Sequence, residues 1–248
     1  MGPLNGIKVL EFSGIGPGPY CGMLLADLGA DVIRLSRVSE KGAHNKFDIH
    51  NRSKRTIVAD LKNPNAVKEI KKLIKEVDVI FEGFRPGVME KLGLSPEECL
   101  KLNKSLVYGR MTGWGQDGPL SSQAGHDINY ISLSGALNAI GDQNSNPSIP
   151  LNLVGDYGGG GMMLAMGILA GVISSSKTGE GQVIDSAMID GSLSLMSFFY
   201  SLKEMGVWKD KRKSNFLDGA AHFYDTYKCL DNKYIAIGSI EPQFYEIL

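Results

Sequence analysis

Residues 7–12, Ile-Lys-Val-Leu-Glu-Phe, open the pattern that most constrains this chain. The run is short and apolar with few polar interruptions, as a strand covered on both faces is. A glycine-proline loop follows, Gly14-Ile15-Gly16-Pro17-Gly18-Pro19. Residues 20–28 then carry apolar side chains at helical spacing, with Pro19 at the first helical position and Gly29 at the stop. Residues 31–35, Asp-Val-Ile-Arg-Leu, make the next strand. A β-loop-α-β opening predicts a parallel sheet with helices on its faces and ligands at the carboxyl edge of its strands.

The same punctuation continues. Residues 56–62, 77–81 and 106–111 read as strands, and a helix over 63–75 places Val67, Ile70, Leu73 and Ile74 on one face. Ser95-Pro96-Glu97-Glu98 starts another helix with a capping box. Residues 39–53 are a polar loop containing His44 and His50, and residues 130–139 are helical. Residues 151–154 read as an extended arm, 162–173 as an all-apolar and therefore buried helix, 181–186 as a strand and 187–200 as a further helix. The expected fold is α/β: a Rossmann-like parallel-sheet large domain over residues 1–200 and a linker over 201–221, its basic run 209–213 solvated. Residues 222–248 are the beginning of a smaller α+β domain, a hairpin turning at Asp231-Asn232 and a helix start at Glu241-Pro242. Such a piece does not close its own core, so the chain is expected to be incomplete.

Composition removes several classes of function. With 26 basic and 27 acidic side chains the net charge is -1, so no global field favours nucleic acid or anionic lipid, and an anionic ligand has to be held by local cations. The three cysteines, Cys21, Cys99 and Cys229, are far apart and form no C-x-x-C, which argues against a disulfide framework or a zinc site and fits a reducing compartment. The N-terminus has no basic region followed by an apolar run, so a cytoplasmic location is expected. The most apolar run, residues 161–173, is shorter than the roughly 18 residues of a membrane span.

The loop at residues 14–19 approaches the dinucleotide fingerprint but departs from it twice. Pro19 replaces the third glycine, and the strand that would end in Asp or Glu ends Arg34-Leu35-Ser36-Arg37. An arginine there suits a phosphorylated ribose, as in NADP or coenzyme A; a solvated surface charge fits Arg37 equally well. Two later stretches carry chemistry. Gly125-His126-Asp127 offers an imidazole lifted clear of the sheet at a helix start, able to act as a base. Gly155-Asp156-Tyr157, ahead of the glycine run 158–161, offers a carboxylate whose partial burial would help it hold a proton. A base and an acid on opposite faces of one carbon are what two-base racemisation needs. Taken singly, His126 also reads as a cap or core histidine, Asp156 as a turn residue and Glu241 as a first-turn carboxylate.

The chain resembles the family III coenzyme A transferases, the CaiB–BaiF group. The resemblance runs along essentially its whole length. It is carried by Val9-Leu10-Glu11-Phe12-Ser13-Gly14, Leu25-Ala26-Asp27-Leu28-Gly29-Ala30-Asp31, Asp60-Leu61-Lys62, Phe84-Arg85-Pro86-Gly87, Arg110-Met111-Thr112-Gly113-Trp114-Gly115, Gly125-His126-Asp127-Ile128-Asn129-Tyr130, Gly155-Asp156-Tyr157 and Gly181-Gln182-Val183-Ile184-Asp185. His126, Asp156 and Glu241 together point to its racemase branch. The resemblance implies that coenzyme A is the handle of the substrate and that no prosthetic group or metal is used. Arg37 would meet the adenosine phosphate end, Ala59, Asp60, Leu61 and Lys62 the nucleotide, Arg85 the neighbouring edge, and Gly125, Asp127 and Tyr130 the thioester end. His126 and Asp156 would be the two bases and Glu241 would orient His126 from the second domain. The implied reaction inverts the α carbon of a 2-methylacyl-CoA through an enolate, held by amides near Asp127 or in the glycine run. Implied alternatives are a CoA-transferase with Asp156 as nucleophile and a non-catalytic CoA-binding subunit. The implied assembly is an interlocked homodimer, with no nucleic-acid partner.

Overall fold

The computed structural model describes residues 2–40 and 45–248; His44 lies outside the described residues. Six strands form one sheet: β1 (Lys8–Phe12), β2 (Asp31–Ser36), β3 (Lys54–Val58), β4 (Val79–Glu82), β5 (Val107–Thr112) and β6 (Gln182–Ala187). All pairings are parallel and the order is β3-β2-β1-β4-β5-β6, the doubly wound arrangement that the opening β-loop-α-β predicts. The helices are α1 (Pro17–Asp27), α2 (Pro64–Ile74), α3 (Val88–Lys91), α4 (Pro96–Leu102), α5 (Asp127–Leu133), α6 (Ala136–Ala139), α7 (Met163–Thr178), α8 (Met188–Leu195), α9 (Ser197–Glu204) and α10 (Pro242–Tyr245). An antiparallel hairpin of β7 (Tyr224–Lys228) and β8 (Tyr234–Gly238) stands apart from the sheet, largely exposed.

Strand periodicity divides the core into two layers. Val9, Val32, Val79, Phe81 and Val107 point to the face shared with α1 and α7, where they meet Cys21, Leu25, Leu164 and Ile168. Their neighbours Leu10, Phe12, Ile80, Leu106 and Tyr108 point to the other face, against Ile70, Ile74, Leu94 and Cys99. Adjacent strand residues face opposite ways, so a continuous apolar run feeds both layers. Cys21 and Cys99 are core packing residues, both fully buried. One charged pair interrupts the first layer: Lys54 Nζ lies 2.6 Å from Glu11 Oε2, with both side chains fully buried. Lys54 Nζ also donates to the Pro19 carbonyl at 2.9 Å, tying β1 and β3 to the first turn of α1.

Two local expectations are corrected. Residues 153–154, read as part of an extended arm, open a π-helix over Leu153–Met162 that runs without a break into α7. The stretch is apolar and β-like in composition, but backbone packing decides its shape. A Cβ on Gly191 would lie 1.8 Å from the Gly159 carbonyl oxygen, and one on Gly159 would lie 2.7 Å from the Ser192 amide nitrogen. The wide segment and α8 therefore touch backbone to backbone, which only glycine permits. The joined helix Leu153–Thr178 has 26 residues and a hydropathy of 1.4, long and apolar enough by those measures to cross a membrane. It packs one side against α1, α8, β5 and β6, while Met162, Met166 and Ile173 on its other side are exposed, so the expectation of a buried helix over 162–173 holds for one face only. The second correction concerns the basic run 209–213. Arg212 is docked, donating to the carbonyls of Asn138 at 3.0 Å, Asp142 at 3.0 Å and Ser145 at 2.8 Å.

Candidate active site

In the doubly wound order the chain reverses direction across the sheet between β1 and β4, and a crevice opens at their carboxyl ends. It holds a cavity of about 590 Å³. A second cavity of about 520 Å³ lies beside it, over the ends of β2 and β3. Phe12 and Phe84 line both and form their shared wall, ring centroids 6.3 Å apart and edge to face at 75°. The pair of cavities suits a ligand with a long handle and a reactive end.

The smaller cavity takes the expected nucleotide residues. Arg37, Ala59, Asp60, Leu61 and Lys62 all line it. Arg34 is committed elsewhere, to Glu40 at 2.8 Å, so Arg37 and Lys62 are the basic residues in this wall. Asp60 serves its own turn, its Oδ1 accepting the Lys62 N–H at 2.9 Å. Arg37→Ala is expected to raise the KM for an acyl-CoA about tenfold, the scale of one charge-assisted contact. The KM for the same thioester of 3′-dephospho-CoA should stay unchanged; steady-state kinetics with both substrates check this.

The wall between the cavities is held from below. Glu82 Oε2 accepts the Phe84 N–H at 2.6 Å, Oε1 accepts Arg110 Nε at 3.2 Å, and Arg110 bridges on to Glu90 of α3 at 3.0 Å. Burial pushes the Glu82 carboxyl up to about 7, against the pull of the Phe84 amide and Arg110. The folded state therefore keeps a proton that the unfolded chain releases near 4.5. Stability from this group is complete below about pH 4.5 and is lost as pH rises through about 7, by at most about 3 kcal/mol. Urea unfolding across that window should show the decline, and Glu82→Gln should remove the share due to Glu82, leaving that of Glu11, whose carboxyl burial likewise pushes up to about 7.

The larger cavity brings the two proposed bases together. His126 caps α5 through its backbone: its N–H donates to Asn129 Oδ1 at 3.0 Å, and its carbonyl accepts the Asn129 N–H at 2.8 Å. The imidazole is thus left to line the cavity. Asp156 enters from the π-helix and stands against the start of α1, where a Cβ on Gly16 would come within 3.1 Å of its Oδ2. That oxygen accepts from Asn152 Nδ2 at 3.2 Å. Burial raises the Asp156 pKa above the ordinary aspartate value; the Asn152 hydrogen bond and the nearby His126 pull it down, and Asp127 adds to the rise. Gly125, Tyr130 and Arg85 line the same space. Tyr130 is 4 % exposed, packs edge to face on Trp114 at 4.8 Å, and has its phenol pushed up to about 12 by burial.

Three expected residues or groups sit differently. The Asp127 carboxylate is turned inward, only 6 % of the residue is exposed, and Oδ2 accepts the Asp156 N–H at 2.7 Å. Only its backbone could meet a thioester. The glycine run does not face the cavity: Gly159, Gly160 and Gly161 are buried against α1 and α8. Its amides are not placed to hold an enolate oxygen, because close helix packing occupies them, which leaves the start of α5. Glu241 is exposed, at the start of α10, and is not part of the cavity wall. Sequence reasoning missed Asn152, whose contact with Asp156 four residues on appears only once the segment coils. It also missed the Phe12–Phe84 wall and His50, which lines the cavity and packs on Tyr157 at 5.6 Å. Among the described residues, no group of three or more His, Cys, Asp and Glu is placed to hold a metal.

A doubly wound sheet with paired cavities at its switch point is the frame of a ligand-binding α/β fold. Residues 4–248 match the model of CoA-transferase family III, and the chain belongs to that family. It is 47% identical over 245 residues to the alpha-methylacyl-CoA racemase of Mus musculus, covering 99% of this chain and 63% of the relative. It is 31% identical over 250 residues to a human succinyl-CoA:glutarate CoA-transferase, covering 96% of this chain and 56% of that one. The crystal structure of a CAIB/BAIF family protein from Brucella suis superposes with a TM-score of 0.82 at 29% identity, covering 94% of this chain and 65% of that one. The chain thus spans less than two thirds of the length of each.

Proposed function

We propose that the protein is a racemase that inverts the α carbon of 2-methylacyl-CoA thioesters by two-base 1,1-proton transfer through an enolate. The observation that carries this reading is that His126 and Asp156 line one cavity, where burial raises the Asp156 carboxyl above the ordinary aspartate range. A burial-raised carboxyl is suited to give a proton as well as take one. The handle is coenzyme A: Arg37 and Lys62 meet its phosphates in the smaller cavity, and pantetheine passes the Phe12–Phe84 wall. The thioester carbonyl withdraws charge from the α carbon. One base takes the α proton, amides at the start of α5 hold the enolate oxygen, and the other group protonates the opposite face. Nothing in this sequence of steps calls for a prosthetic group. Glu241, which is outside the cavity wall of its own chain, acts in this reading from a second copy in an interlocked homodimer.

The match to a CoA-transferase supports one alternative, in which Asp156 is the nucleophile. The whole protein, incubated with a 2-methylacyl-CoA in deuterated water without an acceptor acid, separates the readings. Deuterium uptake at the α carbon with the thioester intact, and its loss in His126→Ala, supports the racemase. No uptake, with hydroxylamine trapping an adduct at Asp156, supports the transferase; neither signal leaves a CoA-binding role.

A further inference from the structure

The buried Asp127 carboxylate has no place in that mechanism, yet it touches the backbone of Asp156 and directly follows His126. Asp127 is the first residue of α5, and its Oδ2 accepts the Asp156 N–H at 2.7 Å. An amide in the first turn of a helix has no acceptor within its own helix. Asp127 supplies one, so its negative charge sits between the positive ends of α5 and of the π-helix. The approach is tight, since a Cβ on Gly155 would lie 2.7 Å from the same oxygen.

We infer that Asp127 is a positioning residue that sets the span between His126 and Asp156. The inference rests on the proposed roles of those two groups. It reassigns Asp127 from ligand contact to clamp: one residue is covalently joined to His126 and hydrogen-bonded to the backbone of Asp156. Its charge has a second effect. The titratable and charged groups around the Asp156 carboxyl are His126, Asp127 and Tyr130 at the start of α5 and, from the rest of the cavity wall, His50, Arg85 and Tyr157; Asp127 is the anionic neighbour that adds to the rise of its pKa.

Two variants divide geometry from charge. Asp127→Ala removes the acceptor, and kcat for α-proton exchange is expected to fall about 100-fold, with KM within about threefold, as for a displaced catalytic group. Asp127→Asn keeps an acceptor and loses the charge. It should retain most of kcat and move the pH limb governed by Asp156 to lower pH. If Asp127→Ala fails to fold, Gly155→Ala, which crowds the carboxylate without removing it, should reproduce the loss of kcat. A rise in KM with kcat unchanged, or no change in either, overturns the inference. Should the wild-type protein move CoA between acids instead of exchanging the α proton, the racemase reading fails. The same kcat-against-KM split, measured in that transfer, still tests the clamp, since Asp156 would then be the nucleophile.

Discussion

Asp156→Asn is expected to lower α-proton exchange by about 10³-fold or more, near the upper end of what one acid-base group contributes. The amide has nearly the shape of the carboxyl and leaves the backbone bond to Asp127 in place. What it removes is the ability to take or give a proton beside His126. KM for the acyl-CoA should stay within about threefold, since the handle is proposed to bind in the other cavity. Exchange followed by mass spectrometry, with KM from initial rates, checks both parts. His126→Ala should give a loss of similar size.

The largest expected effect on stability lies under α1. Lys54→Met leaves Glu11, whose carboxyl burial already pushes up to about 7, without its cation, and above that pH should destabilise the protein by about 3–5 kcal/mol, the scale for breaking a buried ion pair from one side. In a domain of this size that lowers Tm by roughly 10 °C or more. Adding Glu11→Gln to Lys54→Met should recover much of the loss, because the uncompensated charge is gone. Thermal melts of the two single variants and the double variant measure the coupling. The first turn of α1, which Lys54 holds through the Pro19 carbonyl, continues from the Gly16–Gly18 edge of the larger cavity. The pair therefore supports the site as well as the sheet.

Much of this was readable from residues alone, for reasons that differ by region. The opening β-loop-α-β is a local pattern, and the parallel sheet follows from it. Strand order depends on contacts far apart in sequence, so the switch point between β1 and β4, and hence the cavity, became visible only in the fold. Arg37 stood out by its place after the second strand, whereas Ala59, Asp60, Leu61 and Lys62 were marked only through the family resemblance; the fold brings all five into one cavity because they follow the neighbouring strands β2 and β3. Leu151–Val154 misled because apolar composition favours a strand, whereas the glycines at 159 and 191 allow a helix contact that composition does not encode. Asn152 and the inward turn of Asp127 depended on that coil and could not be seen without it. The Glu82–Arg110–Glu90 series joins two strands and a helix, and no sequence spacing marks it.

The central claim is that His126 and Asp156 work from opposite faces of one carbon. The most direct measurement starts from a single enantiomer of a 2-methylacyl-CoA in deuterated water, with no acceptor acid, and follows configuration and α-deuterium together in the whole protein. The prediction is an approach to a nearly equal mixture of enantiomers, with deuterium in the inverted product and the thioester intact. Unchanged configuration and an unlabelled α carbon, with acyl or CoA captured at Asp156, would contradict it.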